Sequence, residues 1–348
     1  MPDHVKYMHR CLELASEGLR GAMPNPGVGA VLVVDDKIIA EGYTQRYGFN
    51  HAEVEAINNV KDRNLFSKAT LYVSLEPCAH FGKTPPCADL IVEKGIKKVV
   101  VGCKDPFQQV DGKGIERLEK NGISVNMGVL EQECLELNKR FFTFHLKNRP
   151  YITLKWAQTK DGFIDRDRTT DETGINWITS KETKAITHQW RTEESAILIG
   201  TNTAINDDPS LTARAFKGEN PTRIVIDRKG VLDENLALFN GEVKTLVLAE
   251  SASVAKPNSQ TLVIDFNNFI TSFNQAMVEQ NLLSVMVEGG AKLLQTFIDG
   301  KNWDEAKVLT GNVMFENGLN APDINRAGNP RSERIEQANH DMIQFYYA

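Results

Sequence analysis

His51-Ala52-Glu53 and, further along, Pro77-Cys78-Ala79-His80-Phe81-Gly82-Lys83-Thr84-Pro85-Pro86-Cys87 are the stretches on which the reading of this chain turns. One His and two Cys are borderline-soft ligands suited to zinc. Three protein ligands leave the fourth tetrahedral position open, which is the mark of a catalytic site. Zinc lowers the pKa of a water in that position to about 7. Glu53 sits two residues from His51 and is read as an acid/base group, not a ligand. Residues two apart on a regular helix point roughly 200° apart. Both reach one pocket most easily at a helix start, and Gly48-Phe49-Asn50 supplies a loop just before His51. Cys87 is expected to open a helix, where the helix terminus favours a thiolate.

Outward from these stretches the first half alternates. A helix is expected after an N-cap at Asp3, ended by Pro24-Asn25-Pro26-Gly27. Strands follow at 29–34 and 37–42 around Asp35-Asp36, a short polar connection that reads as a hairpin. Helices at 52–60, 87–94 and 114–120 then interleave with strands at 69–74, 97–102 and 124–127. One closing helix is expected over 131–146. This is a layered α/β domain with a mostly covered sheet. Lys147-Asn148-Arg149-Pro150 makes a polar, proline-ended break, so a linker is placed at 147–150 between domains 1–146 and 151–348. Beyond it, strands are expected at 195–200, 222–227, 244–249, 261–265, 284–288 and 304–309, with helices at 180–192 and 291–299. The second half is another α/β domain with no repeat of the first.

Composition narrows the function. The 348 residues carry 40 Lys plus Arg against 46 Asp plus Glu, a formal net charge of −6. That balance disfavours a general nucleic-acid binder, which shows a basic domain or stripe. Cys11, Cys103 and Cys134 complete an odd set of five cysteines, unlike a secreted disulfide framework. No signal peptide or membrane span is evident, and a cytoplasmic protein is expected.

His-x-Glu before a strand, then Pro-Cys and a second Cys, is the pattern of zinc-dependent nucleobase deaminases. The usual form has two residues between the cysteines, whereas eight lie between Cys78 and Cys87. With Asn25-Pro26-Gly27-Val28-Gly29 and His51-Ala52-Glu53, that insertion resembles the bifunctional riboflavin-biosynthesis deaminase/reductase family over essentially the whole chain. The resemblance implies an N-terminal cytidine-deaminase-like three-layer domain and a C-terminal dihydrofolate-reductase-like domain. By the same implication His51, Cys78 and Cys87 hold one Zn2+ and Glu53 shuttles protons. Asn25, His80 and Lys83 would help hold the substrate, a small-molecule pyrimidine ribose phosphate. Deamination of the 2-amino group would precede NADPH-dependent reduction of the ribosyl side chain to ribityl. A homo-oligomer through the reductase domain is also expected, while the charge balance and the short longest apolar stretch, Val28 to Val34, speak against nucleic-acid and membrane partners.

Gly27-Val28-Gly29 begins like a dinucleotide fingerprint, but Leu32 stands where the third Gly belongs and a strand follows where a helix is needed. A nicotinamide cofactor is better sought at Val287-Glu288-Gly289-Gly290, between a strand and a helix whose start offers N–H donors. Lys155-Trp156-Ala157, Asp161-Gly162, Asn176 to Ser180 and Gly200 to Arg214 also resemble the reductase. Position by position, the resemblance places Ala157, Trp177, Thr203, Asp207 and the run Gly290, Ala291, Lys292, Leu293, Leu294, Gln295, Thr296 at the cofactor. It places Ile175 (through its backbone), Arg191, Leu211, Arg214 and Glu288 at the substrate. Arg191 and Arg214 suit phosphate clamps. Trp177 reads either as a cofactor platform or as core. Lys155 reads as a polar group near the reacting carbon or as a lysine with its tip in solvent. Arg228, after the strand at 222–227, aligns with a cofactor-contacting position and suits a 2′-phosphate.

The chain departs from the family at Ser195, where Asp is usual. It departs again after Leu309, where Thr310-Gly311-Asn312-Val313-Met314-Phe315 replaces a proline and a glycine-rich turn. Two rival readings remain at this point. One is a nucleic-acid-editing deaminase with an auxiliary domain, which needs a basic stripe with interleaved aromatics. The other is a non-catalytic zinc module with four ligands, His80 being the fourth.

Overall fold

The structure is a computed structural model that describes residues 3–81, 85–106, 110–168, 174–328 and 330–348. The chain divides into two compact units, Met1–Lys147 and Asn148–Ala348.

In the first unit α1 (His4–Ala22) leads to β1 (Gly29–Val34), β2 (Lys37–Tyr43), α2 (Ala52–Asn58), β3 (Thr70–Leu75), α3 (Cys87–Glu93), β4 (Lys98–Cys103), α4 (Lys113–Lys120), β5 (Ser124–Met127), α5 (Glu131–Leu137) and α6 (Lys139–Lys147). Asp3 caps α1 by accepting from Lys6 N at 3.1 Å. Asp35 and Asp36 both take positive φ, 48° and 57°, the geometry of a tight hairpin turn. The sheet order is β2-β1-β3-β4-β5; β1 runs antiparallel to β2 and β3, while β3, β4 and β5 are parallel. All six residues of β1 are buried, as a strand covered on both faces requires.

The glycines of the false fingerprint have a packing role. A Cβ on Gly29 would lie 1.9 Å from Cys11 O on α1, so only glycine lets β1 approach that helix.

The single closing helix expected over 131–146 is instead two helices, broken at Asn138. Asn138 is buried, and its side-chain amide bonds both Gly27 N and Gly27 O at 2.9 Å. Helical periodicity persists through the break, so the sequence pattern alone does not reveal it.

The second unit contains β6 (Tyr151–Gln158), β7 (Phe163–Asp165), α7 (Lys181–Glu193), β8 (Ala196–Ile199), α8 (Thr201–Asp207), β9 (Thr222–Ile226), β10 (Thr245–Ala249), β11 (Ser259–Val263), α9 (Phe269–Glu279), β12 (Ser284–Gly289), α10 (Ala291–Asp299), β13 (Glu305–Thr310), β14 (Leu319–Asn320), β15 (Arg331–Ala338) and β16 (Asp341–Tyr347). Its main sheet runs β11-β10-β9-β8-β12-β6-β13-β16-β15, and β7 pairs separately with β14. The strands from β11 to β13 are parallel; β16 and β15 add antiparallel. Strand β11 begins two residues before the expected 261, because Ser259 pairs with Thr245.

The tract after Leu309 is well anchored. Gly311 N donates to Gln158 O, and a Cβ on Gly311 would fall 2.0 Å from Ile178 O. Asp161 accepts from Phe315 N and Glu316 N. The departure from the family therefore lies against two of the segments that carry the reductase resemblance. At the other departure, Ser195 N donates to Ser284 Oγ at 3.0 Å. Among the described residues no helix is long and apolar enough to cross a membrane.

Candidate active sites

The first site gathers at the carboxyl end of β3. His51 occupies the N-cap of α2, Cys78 follows β3 and Cys87 begins α3. His51 Nδ1 lies 3.6 Å from Cys78 Sγ and 3.4 Å from Cys87 Sγ, and the three ligand atoms lie within 4.8 Å of one another. Tetrahedral zinc with ordinary Zn–S and Zn–N bonds holds such atoms about 3.6 Å (S to N) and about 3.8 Å (S to S) apart. The donor set and its spacing therefore fit zinc. Cys87 N donates to Cys78 Sγ at 3.3 Å, which favours the thiolate. His80 is not a member of this three-residue group.

Glu53 is only 3% exposed and lies against the Cys87 side chain. Burial pushes its carboxyl up to about 7, against the pull of the His51 ring. A bound dication would act in the opposite direction. Asn25 lies in the turn after α1, its N–H on Ala22 O at 2.9 Å. His80 is half-buried next to Ala79, whose carbonyl accepts from Arg117 Nη1. Lys83 lies outside the described residues.

Glu76 escaped the sequence reading. Its buried carboxylate accepts from Asp105 N (3.3 Å), Gly112 N (3.0 Å), Gly114 N (2.9 Å) and Ile115 N (3.3 Å). It ties the start of α4 to the strand end that delivers Cys78. Its place two residues before Cys78 was the available signal.

In the second unit Lys155, Arg191 and Glu288 converge from β6, α7 and β12. Arg191 Nε and Nη2 donate to the two Glu288 oxygens at 2.8 and 2.7 Å, and Nη1 donates to Thr212 O at 3.0 Å. Lys155 Nζ lies 3.9 Å from Glu288 Oε2 and has little exposure, so its tip is not in solvent. Burial alone would raise the Glu288 carboxyl, but Arg191 and Lys155 outweigh it and hold it at about 2. Burial lowers Lys155. His188, also buried, is held at about 4 by burial and then by Arg191 and Arg214. Arg214 is exposed, with Nη1 on Thr212 Oγ1 at 3.3 Å. Leu211 is buried with φ of 50°.

Among the cofactor candidates, Ala157, Gly290 and Arg228 stand at the carboxyl ends of β6, β12 and β9. Gly289 ends β12 and Gly290 caps α10. A Cβ on Gly290 would sit 3.3 Å from Thr203 Oγ1, so Thr203 on α8 abuts the open backbone of this turn. Ala291, Lys292, Gln295 and Thr296 line an open cleft of about 430 Å³ with Asn320 and Arg326. Leu293 and Leu294 instead face the core. Trp177 is 56% exposed with Lys184 Nζ 4.0 Å from its ring centre, which removes the core alternative. Ile175 is also exposed, and Ala157 is half-buried on β6. Asp207 accepts from Arg168 at 3.1 Å; burial raises its carboxyl to about 6 despite that partner. Arg228 is engaged by Glu250, a partner that sequence reading did not foresee.

Known proteins match both units. Residues 1–103 match the cytidine and deoxycytidylate deaminase zinc-binding region, and residues 150–316 match the RibD C-terminal domain. The riboflavin biosynthesis protein RibD of Aquifex aeolicus is 38% identical over 98% of this chain and 97% of its own. RibD of Escherichia coli is 40% identical over 64% of this chain and 62% of its own. The crystal structure of a diaminohydroxyphosphoribosylaminopyrimidine deaminase/5-amino-6-(5-phosphoribosylamino)uracil reductase from Thermotoga maritima superposes with a TM-score of 0.90. It is 36% identical, covering 99% of this chain and 98% of that one. Acinetobacter baumannii RibD gives 0.89 at 30% identity, with the same coverage.

Proposed function

This chain belongs to the RibD family of bifunctional riboflavin-biosynthesis enzymes, and from that premise we propose which residues perform its two reactions and on what substrate. It is a zinc-dependent deaminase joined to an NADPH-dependent reductase. The substrate is 2,5-diamino-6-ribosylamino-4(3H)-pyrimidinone 5′-phosphate. Its 2-amino group is hydrolysed first, and its ribosyl group is then reduced to ribityl. The observation that carries the reading is the His51, Cys78 and Cys87 cluster at zinc spacing with buried Glu53 beside it.

His51 Nδ1 and the two cysteine sulfurs would hold the zinc, which when bound supplies the Lewis acidity that lets water attack at neutral pH. The Glu53 carboxylate takes one proton from the attacking water and passes it to the ring nitrogen; the second proton, from the newly added hydroxyl, passes through Glu53 to the amine as the C–N bond breaks and ammonia leaves. Glu53 is supported in this role by its burial and its contact with Cys87. Asn25, His80 and Lys83 hold the pyrimidine phosphate.

In the reductase unit NADPH, when bound, supplies hydride to the ribosyl C1′. Gly290 and the first turn of α10 meet its phosphates with backbone N–H groups. Ala157, Trp177, Thr203, Asp207 and Arg228 complete the cofactor surface. Glu288, Lys155, Leu211 and the Ile175 backbone bound the substrate. The phosphate contact falls to exposed Arg214, because Arg191 is occupied in holding Glu288.

A homo-oligomer through the reductase unit and a cytoplasmic location belong to the same proposal. Exposed Ile335 on the edge strand β15 supports the first. Five cysteines, none of them in a disulfide, support a reducing compartment for the second.

Incubation with the pyrimidine phosphate, with and without NADPH, tests the reading. Ammonia should appear in both cases, and NADPH absorbance should fall only after ammonia release. NADPH consumption without ammonia, or neither, overturns it.

A further inference from the structure

The carboxyl ends of the parallel strands form one continuous edge in the reductase unit. From β12 outward through β8, β9 and β10 it carries Gly289-Gly290, Gly200, Arg228 and Glu250 in turn. Such an edge is where ligands of α/β sheets bind. Arg228 and Glu250 are tied twice. Glu250 N donates to Arg228 O at 3.1 Å, and Arg228 Nε donates to Glu250 Oε1 at 2.5 Å. The guanidinium carbon also lies 5.2 Å from the centre of the Phe266 ring. The two side chains keep 50% and 39% of their exposure, so a ligand can reach both.

A guanidinium paired with a carboxylate presents no net charge. A 2′-phosphate arriving at Arg228 finds Nε already donating to Glu250 and meets the negative charge of that carboxylate. A 2′-hydroxyl meets the opposite situation, because a carboxylate accepts from a hydroxyl. We infer that Glu250 sets how far this reductase discriminates between 2′-phosphorylated and 2′-hydroxyl dinucleotides, opposing the preference that Arg228 confers. This inference rests on the proposed placement of the cofactor ribose at Arg228.

A partly exposed ion pair contributes little to folding, so Glu250→Gln leaves a testable protein. In the full-length chain, this variant should raise the NADPH to NADH ratio of kcat/KM by about tenfold, equal to about 1.4 kcal/mol. The change should be carried by the cofactor KM: lower for NADPH, higher for NADH. Arg228→Ala should move the ratio in the opposite direction. Calorimetric dissociation constants for NADP+ and NAD+ report the same discrimination without turnover. A wild-type chain that oxidises neither NADPH nor NADH with deaminated substrate refutes the reductase assignment. The Glu250 inference is judged on the binding ratio. A ratio that Glu250→Gln leaves unmoved, or equal shifts for both dinucleotides, overturns it.

Discussion

Replacing Glu288 by Gln keeps its shape and removes its charge, and the structure gives the cost. Glu288 is held at about 2, against an ordinary value of 4.5, by Arg191 and Lys155 working against burial. A depressed carboxylate contributes stability that is fully present above its unfolded pKa and is lost as pH falls through its folded one. The shift of about 2.5 units corresponds to about 3 kcal/mol at neutral pH. Removing the carboxylate charge also leaves Arg191 buried without its partner, a class of change that costs about 3–5 kcal/mol. All four tryptophans, Trp156, Trp177, Trp190 and Trp303, lie in the reductase unit, so their fluorescence reports that unit within the intact chain. The urea midpoint of Glu288→Gln should fall by roughly 1–2 M at neutral pH for a slope of about 2–3 kcal/mol/M. The gap from wild type should narrow on acidification, with about 2 kcal/mol of it gone by pH 3. Substituting Arg191 by Leu as well should recover part of the loss, since an absent pair costs less than a broken one. Equal midpoints at pH 7 would refute the buried pair. A gap that does not narrow in acid would make the loss one of packing, not charge.

Local periodicity and residue chemistry made much of this molecule legible before its structure. The β1–β2 hairpin was announced by Asp35-Asp36, and α10 matches its expected span of 291–299. The gathering of His51, Cys78 and Cys87 was legible because few residue types bind zinc and their order along the chain is distinctive. The break at Asn138 was hidden because its cause is a partner 111 residues away, Gly27. Strand β15 was hidden because Arg331-Ser332-Glu333-Arg334 carries no apolar alternation and is held by pairing with β16. Single-residue roles in the reductase unit were the least legible. Arg191 and Arg228 have the chemistry of phosphate clamps, yet each has a carboxylate partner brought from a distant strand end, Glu288 and Glu250. Chemistry predicts what a side chain can bind; only the fold shows what already occupies it.

Glu53→Gln should keep one zinc per chain by metal analysis while ammonia release falls by about 10²–10⁴, the usual scale of a lost general acid/base; wild-type deamination in this variant would end the assignment. A chain ended at Asn148, after α6 and before β6, should fold and bind one zinc, and failure to fold at any concentration would refute the boundary. Glu76→Gln tests the link between the α4 start and the zinc loop. A neutral amide offers one acceptor oxygen where the carboxylate offers two, so at least one of the two pairs of backbone N–H groups loses its acceptor and faces the amide NH2. Buried donors without acceptors cost about 1–3 kcal/mol each, and the strain falls two residues from Cys78. Zinc release to a chelator should therefore quicken by about tenfold or more, in line with the loss of groups that orient metal ligands. Ammonia release should recover when zinc is added in excess, because Glu76 touches none of the ligand atoms and acts only through the loop. Release at the wild-type rate would show that the loop holds its shape without this carboxylate.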